Sequence, residues 1–358
     1  MVLHHAGAAK IAVGLREHSQ PYLASALASS TASGVELFFV LSGIVLLRPY
    51  LRQGRPLKPL VYVQRRVQRL WPPFLAAWLL AGLVTWLATQ YPTTWTRGAN
   101  LASFSVGSWL AQVGIVYVGS NPFNAAWWSL TVELLFYALV PLIVVLAKRF
   151  RPTFRQMLCV WIGCAVAALV AQAIPDSAVP AHLWPFPRFG VHLSCFATGT
   201  LIAAYDVPVA WAKRLVLLGL AYVALACAWP ALNLHIGWGL FHFGVVVAAL
   251  DEKGVLMRVL SRWPLVWLGE RSYSLFLVHM SVFTIVSHAL SVYLPGKSAA
   301  YFVLSRLIEL PLSLFVAMLI FSFVERRFAH NLVSANAFWP SWTHAGKKSE
   351  SQSALRAT

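Results

Sequence analysis

Apolar residues run through this sequence in long blocks, and the polar positions between them are basic or rich in Gly and Pro. The clearest block is Gly34-Val-Glu-Leu-Phe-Phe-Val-Leu-Ser-Gly-Ile-Val-Leu-Leu47, which continues to about Tyr50 and carries one acidic residue, Glu36, near its start. Later blocks fall at about 70–91, 127–147, 157–174, 186–204, 215–230, 234–250, 265–294 and 301–324. A helix rises about 1.5 Å per residue, so most of these blocks cover much of a hydrocarbon core about 30 Å thick. The pattern predicts an all-α, polytopic membrane bundle of about nine spans. Residues 8–32 are small and polar and read as a loop or short helix, and 92–126 form a longer polar stretch. The membrane domain is expected over 1–342. Residues 343–358, rich in Ser, Lys and Ala, have nothing to bury and are expected to be a disordered cytoplasmic tail.

Composition agrees with that class: 59% of residues are hydrophobic, 11% are charged, and the mean hydropathy is +0.68. The net charge of +17 would suit a nucleic-acid binder, but here the cations alternate with apolar spans instead of forming a patch on a polar surface. No nucleic acid is expected as a partner; the lipid bilayer is. Segments 48–69, 148–155, 206–214, 251–262 and 325 onward hold most of the Lys and Arg. The positive-inside rule therefore predicts cytoplasmic basic loops, a cytoplasmic C-terminus and an external N-terminus. Cys159, Cys164, Cys195 and Cys227 lie in apolar spans without metal-ligand spacing and read as small buried hydrophobes.

On that topology the unusual side chains separate into two groups. His4, His5, Glu36 and Glu133 are expected toward the outer side, with Arg188, Arg306 and Glu309 near the outer ends of their helices and His279 halfway along its own. Arg65, Arg66 and Arg69 border the cytoplasm. Histidine can take a proton from a hydroxyl, and a neighbouring carboxylate can fix its tautomer, so His5 with Glu36 or Glu133 is a candidate general-base pair. Arg65, Arg66 and Arg69 place two guanidinium groups on one helix face, an arrangement suited to phosphate. An acidic residue within a membrane span also suits a transporter, with Glu36, Glu133, His279 and Arg306 as a proton relay, and a packing-only scaffold stays open as well. No Gly-x-Ser-x-Gly elbow, His-x4-Asp pair, His-Glu-x-x-His or Gly-rich phosphate loop occurs. His192, His235 and His242 read as packed helix residues, and no metal site is expected.

Five segments then carry a resemblance. Gly34-Val-Glu-Leu-Phe-Phe-Val-Leu-Ser-Gly43, Arg65-Arg66-x-x-Arg69-x-x-Pro72, Trp128-Ser-Leu-x-x-Glu133-x-x-Phe136-Tyr137, Ser272-Tyr-Ser-Leu-Phe-Leu-Val-His279 and Glu325-Arg326 together resemble the ordered signature of the acyltransferase 3 family. The resemblance implies a helical enzyme of the bacterial inner membrane that takes an acyl group, often acetyl, from acyl-CoA. The acceptor implied is a hydroxyl of a cell-surface or lipid-linked carbohydrate, and no tightly bound cofactor is implied.

His5, followed by Ala6, matches the family's catalytic histidine, with Glu36 and Glu133 at its acidic positions. Arg66 and Arg69, beside Arg65, match the edge that holds the CoA donor. Trp128, Ser129, Tyr137, Tyr273 and His279, with Arg188 or Arg306, are the candidate acceptor contacts. Transfer is expected to be direct or through a covalent acyl relay. The family usually has a full helix ahead of that histidine, whereas three residues precede His4 here. The expectation is a start at an internal methionine, with about ten spans when the helix is restored. No esterase-like domain is expected after Phe328.

Overall fold

The computed structural model describes residues 2, 5, 20–93, 105–114, 124–180, 183–229, 231–294 and 299–328. The expected tail over 343–358 and His4 lie outside them. The described residues form helices α1 (Pro21–Ala32), α2 (Gly34–Leu51), α3 (Pro59–Gln90), α4 (Val106–Ala111), α5 (Trp128–Phe150), α6 (Phe154–Gln172), α7 (Pro185–Val191), α8 (Leu193–Ala204), α9 (Ala212–Ala228), α10 (Leu234–Ala249), α11 (Val255–Leu260), α12 (Trp263–Tyr293) and α13 (Ala299–Ile320). No strand occurs among the described residues, and the chain is an all-α polytopic bundle.

Among the described residues, seven stretches are long and apolar enough to cross a membrane: Pro21–Leu51, Pro59–Gln90, Trp128–Phe150, Phe154–Gln172, Val209–Ala228, Trp263–Tyr293 and Tyr301–Phe328. Many of their large apolar side chains, among them Leu79, Leu83, Leu142, Val145, Val166, Leu217 and Phe315, face outward with more than half of their surface exposed. Lipid solvates such surfaces, whereas water would not. Two of the nine expected spans differ. The block 186–204 breaks at His192, which ends α7 and opens α8, and 234–250 forms only the 16-residue α10. Pro185 and Pro187 fit the first turn of α7, where proline's missing N–H costs nothing, so α7 starts as a short separate turn of helix. The break has a consequence for chemistry, because it sets His192 inside the bundle at a helix junction.

Helix α5 is the shared wall between two packed cores. One joins Phe39, Val40 and Leu47 of α2, Val132, Phe136 and Val140 of α5, Phe196 and Leu201 of α8, and Phe243 and Val247 of α10. The other joins Phe74, Ala77 and Trp78 of α3, Trp127 and Leu130, Leu277 and Val278 of α12, and Ala317 of α13. Across the part of the polar 92–126 stretch that is described, α4 is pinned to α3. Trp109 and Trp78 stack with ring centroids 3.9 Å apart, and their indole N–H groups donate reciprocally to each other's carbonyls at 3.2 and 2.9 Å.

Helices α2 and α8 approach at glycines, as membrane helices do where small residues let backbones meet. A Cβ on Gly199 would lie 2.1 Å from the Val40 carbonyl oxygen and 2.9 Å from Gly43 Cα. Neither backbone can yield locally, so Gly199→Ala is expected to lower unfolding stability by about 1–3 kcal/mol, through overpacking. Thermal unfolding in detergent checks this, with Gly163→Ala, which meets nothing within 4 Å, as the control.

At the end of the bundle that carries the basic loops, contacts between connections close the structure. Lys148 Nζ donates to the Arg55 carbonyl at 3.0 Å, and Tyr205 donates from its hydroxyl to the Pro152 carbonyl. Arg52 pairs with Asp206, and this hydrogen bond holds the Asp206 carboxyl below its usual range. Among the four cysteines, Cys195 is buried as expected, but Cys159 is exposed on an outward face of α6. An outward position in a span needs only an apolar side chain, and the thiol supplies one.

Candidate active site

The site is built around Glu133, on the second turn of α5 and 3% exposed. Its Oε1 accepts hydrogen bonds from the Tyr137 hydroxyl at 2.6 Å and the Ser42 hydroxyl at 3.1 Å. Tyr137 is one helical turn beyond Glu133, so local geometry places that contact, whereas Ser42 arrives from α2. Arg69 and Arg66 of α3 are the charged groups facing this carboxylate. The Arg66 guanidinium sits 5.7 Å from the Tyr62 ring centroid and 5.8 Å from that of Tyr137, within the range of cation–π attraction. Tyr62 itself is buried and donates to the Tyr137 carbonyl at 3.1 Å.

Helix α12 and the π-helical turn Phe321–Glu325 that follows α13 complete the group. Tyr273 donates to the Leu70 carbonyl at 3.1 Å, which ties α12 to the arginine-bearing turn of α3. Ser274 donates to Glu325 at 2.5 Å, and Glu325 faces Arg69 and Arg271. Arg65 is half-buried, and Arg69 and Arg326 are exposed. One cluster therefore gathers a residue from each of the five resembling segments: Ser42, Arg66 with Arg69, Glu133 with Tyr137, Tyr273 with Ser274, and Glu325.

This corrects the expected partition into two opposed clusters, because Glu133 lies with the arginines. Ser42 is six residues beyond Glu36, about 9 Å along α2, and its bond to Glu133 puts that carboxylate well inside the bundle. The proposed orientation of His5 by a carboxylate meets a different geometry too. The ring of His5 lies against that of His279, centroids 5.5 Å apart, while Glu36 pairs with His235. His279 is fully buried, its Nδ1 is 2.8 Å from the Phe276 carbonyl, and its Nε2 has no hydrogen-bond partner. With a proton on Nδ1 donating to that carbonyl, Nε2 is left as a lone-pair acceptor beside His5.

The head of α5 separates this histidine pair from a second polar group. Trp127 donates to the Leu277 carbonyl at 3.2 Å, two residues from His279, and Trp128 stacks on His192 at 5.4 Å. His192 lies 4.1 Å, ring to ring, from His235, and the ligand atoms of Glu36, His192 and His235 fall within 4.8 Å of one another. Arg188 lines a cavity of about 290 Å³ with His235, Gln172, Pro187 and Val191, and its guanidinium packs 5.0 Å from the Trp184 ring.

The remaining acceptor candidates are dispersed. Ser129 is buried and donates to the Ala126 carbonyl at 3.3 Å, and Arg306 pairs with Glu309, which also accepts from Ser287 at 3.0 Å. Tyr62 and the histidines 192 and 235 were missed by sequence reasoning. Tyr62, one turn before Arg66, had an i,i+4 signal; the histidines, far from Glu36 in the chain, had none.

The acyltransferase 3 model, described as an acyltransferase domain, matches residues 1–342. The chain belongs to the acyltransferase 3 family. Relatives of this acyltransferase 3 chain include the O-acetyltransferase OatA of Staphylococcus aureus strains NCTC 8325, COL and MRSA252. Each is 24% identical over 342 residues, covering 86% of this chain and 54% of the relative. The chain spans about half the length of these curated relatives. No solved structure matches it. With seven helices among the described residues long and apolar enough to span, and two shorter apolar helices, this family member is a multi-pass membrane protein.

Proposed function

We propose that this chain is an integral membrane O-acyltransferase. It moves an acyl group, acetyl foremost, from acyl-CoA to a hydroxyl of a cell-surface or lipid-linked carbohydrate, in the bacterial cytoplasmic membrane with the C-terminus inside. The observation that carries this reading is the convergence of all five resembling segments on Glu133, Arg66 and Arg69. The O-acetyltransferase activity for which the OatA relatives are named supports the same reaction class.

In this reading Arg66 and Arg69 hold the donor's phosphates, with Arg65 beside them. Guanidinium groups bind phosphate through paired charge-assisted hydrogen bonds, and Arg69 is exposed to receive one. Glu133 faces the two arginines from the protein side, and Tyr62 and Tyr273 tie α3 to α5 and α12. His5 takes the proton of the acceptor hydroxyl as that oxygen attacks the thioester carbonyl, and the thiol of CoA leaves. Nε2 of His279, beside it, is positioned to steady the imidazole. Trp128 and Arg188 flank the acceptor side. No tightly bound cofactor is part of the scheme.

The test is transfer from radiolabelled acetyl-CoA to the envelope glycan fraction of membranes expressing the chain, beside a version extended upstream. Replacing Arg66 and Arg69 together by Ala is expected to raise KM for acyl-CoA at least about tenfold, since one charge-assisted hydrogen bond contributes about 1.5–3 kcal/mol. Transfer with unchanged KM would remove the arginines from the donor site. Substrate crossing sealed vesicles without acyl-CoA, and no transfer from any donor, would favour the transporter reading instead.

A further inference from the structure

Glu36 of α2, His192 at the junction of α7 and α8, and His235 of α10 meet inside the bundle although they are far apart in the chain. We propose that these three side chains form a binding site for a divalent transition metal of the zinc class, reached from the cavity that His235 and Arg188 line. Two imidazoles and one carboxylate are a donor set that zinc takes in sites retaining a coordination position for a further ligand. Imidazole nitrogens select zinc-like metals over magnesium or calcium, which prefer oxygen.

A simple ion pair between Glu36 and His235 accounts for only part of this geometry. It leaves His192, 2% exposed, with Nδ1 lacking a hydrogen-bond partner, and Glu36, 3% exposed, with Oε2 in the same condition. Polar atoms buried in this way are costly unless something satisfies them, and one ion meets both needs.

The surroundings also hold the ligands in place, as metal sites require. Asn233, fully buried, accepts from the His235 backbone N–H at 2.8 Å and donates to the Ala168 and Val191 carbonyls at 3.1 and 3.3 Å. The His235 carbonyl accepts from the Cys195 thiol at 3.4 Å. The His192 ring is held by Trp128 and by Phe39, whose centroid is 5.0 Å away.

Charge decides what the open position takes. One carboxylate leaves a divalent ion with an excess of positive charge, and the Arg188 guanidinium adds to it from the cavity wall. An anionic or ionisable oxygen, such as a carboxylate or a hydroxyl of a small polar molecule, is the ligand that this field favours.

The experiment reads metal directly and needs no acyl donor, so its failure is distinct from failure of the acyltransferase reading. The full chain, purified in detergent without a histidine tag from zinc-replete cells, is expected to carry about one zinc per chain by mass spectrometry. His192→Ala and Glu36→Gln are each expected to weaken zinc binding at least about tenfold, while His288→Ala, whose ring faces Thr93, retains it. If either variant fails to fold, Co²⁺ added to the wild-type apoprotein decides: visible d–d absorption of a nitrogen- and oxygen-bound ion is expected. A wild-type chain with no zinc and no cobalt spectrum would overturn the proposal. So would zinc retained undiminished in both folded variants, which marks an adventitious ion only.

Discussion

His5→Ala is expected to cut the turnover of acyl transfer by about 10²–10⁴-fold, the range that one positioned general base contributes. KM for acyl-CoA should stay within about twofold, because the arginine cluster is built by contacts among α3, α5 and α12. That split between kcat and KM separates a base from a donor contact. His279→Asn supplies the internal check. Asparagine keeps a donor toward the Phe276 carbonyl but removes the acceptor nitrogen beside His5, so a smaller loss of kcat is expected, with unfolding little changed. Steady-state transfer from radiolabelled acetyl-CoA measures both. Wild-type turnover in His5→Ala would place the base elsewhere in the bundle.

Arg306→Leu is expected to destabilise the bundle by about 3–5 kcal/mol, as breaking a buried ion pair from one side does. Glu309 has no exposed surface, and the substitution removes the cation that faces its buried carboxylate, which also accepts from Ser287. Replacing both Arg306 and Glu309 by Leu is expected to recover most of that loss, because a well-packed apolar pair is often no less stable than a buried salt bridge. Thermal unfolding in detergent reads the cycle. This prediction opposes the sequence-based view of Arg306 as an acceptor contact: that role would show as a raised acceptor KM with an unchanged unfolding temperature.

Much of the architecture was legible before folding was considered, because a bilayer makes backbone satisfaction and hydrophobic length the dominant constraints. The blocks at 127–147, 265–294 and 301–324 became helices with nearly those limits. Where the reading missed, local chemistry had competed with the average. The block 186–204 is apolar throughout, yet its prolines and the turn at His192 divide it, and hydropathy averaged over a window does not see a single junction. The stretch 92–126 is polar on average, yet Trp109 found a stacking partner in Trp78, a contact set by one residue on each side.

The sequence by itself determined the membrane class, the helical architecture and the five motifs, because period, length and local spacing are properties of contiguous residues. It also placed Tyr137 one turn from Glu133. Only the tertiary structure decided that Glu133 lies with Arg66 and Arg69, that His5 meets His279, and that Glu36 meets His192 and His235. Those contacts depend on which helices are neighbours and how each is rotated, and the long apolar faces that set these choices are chemically alike in any single segment.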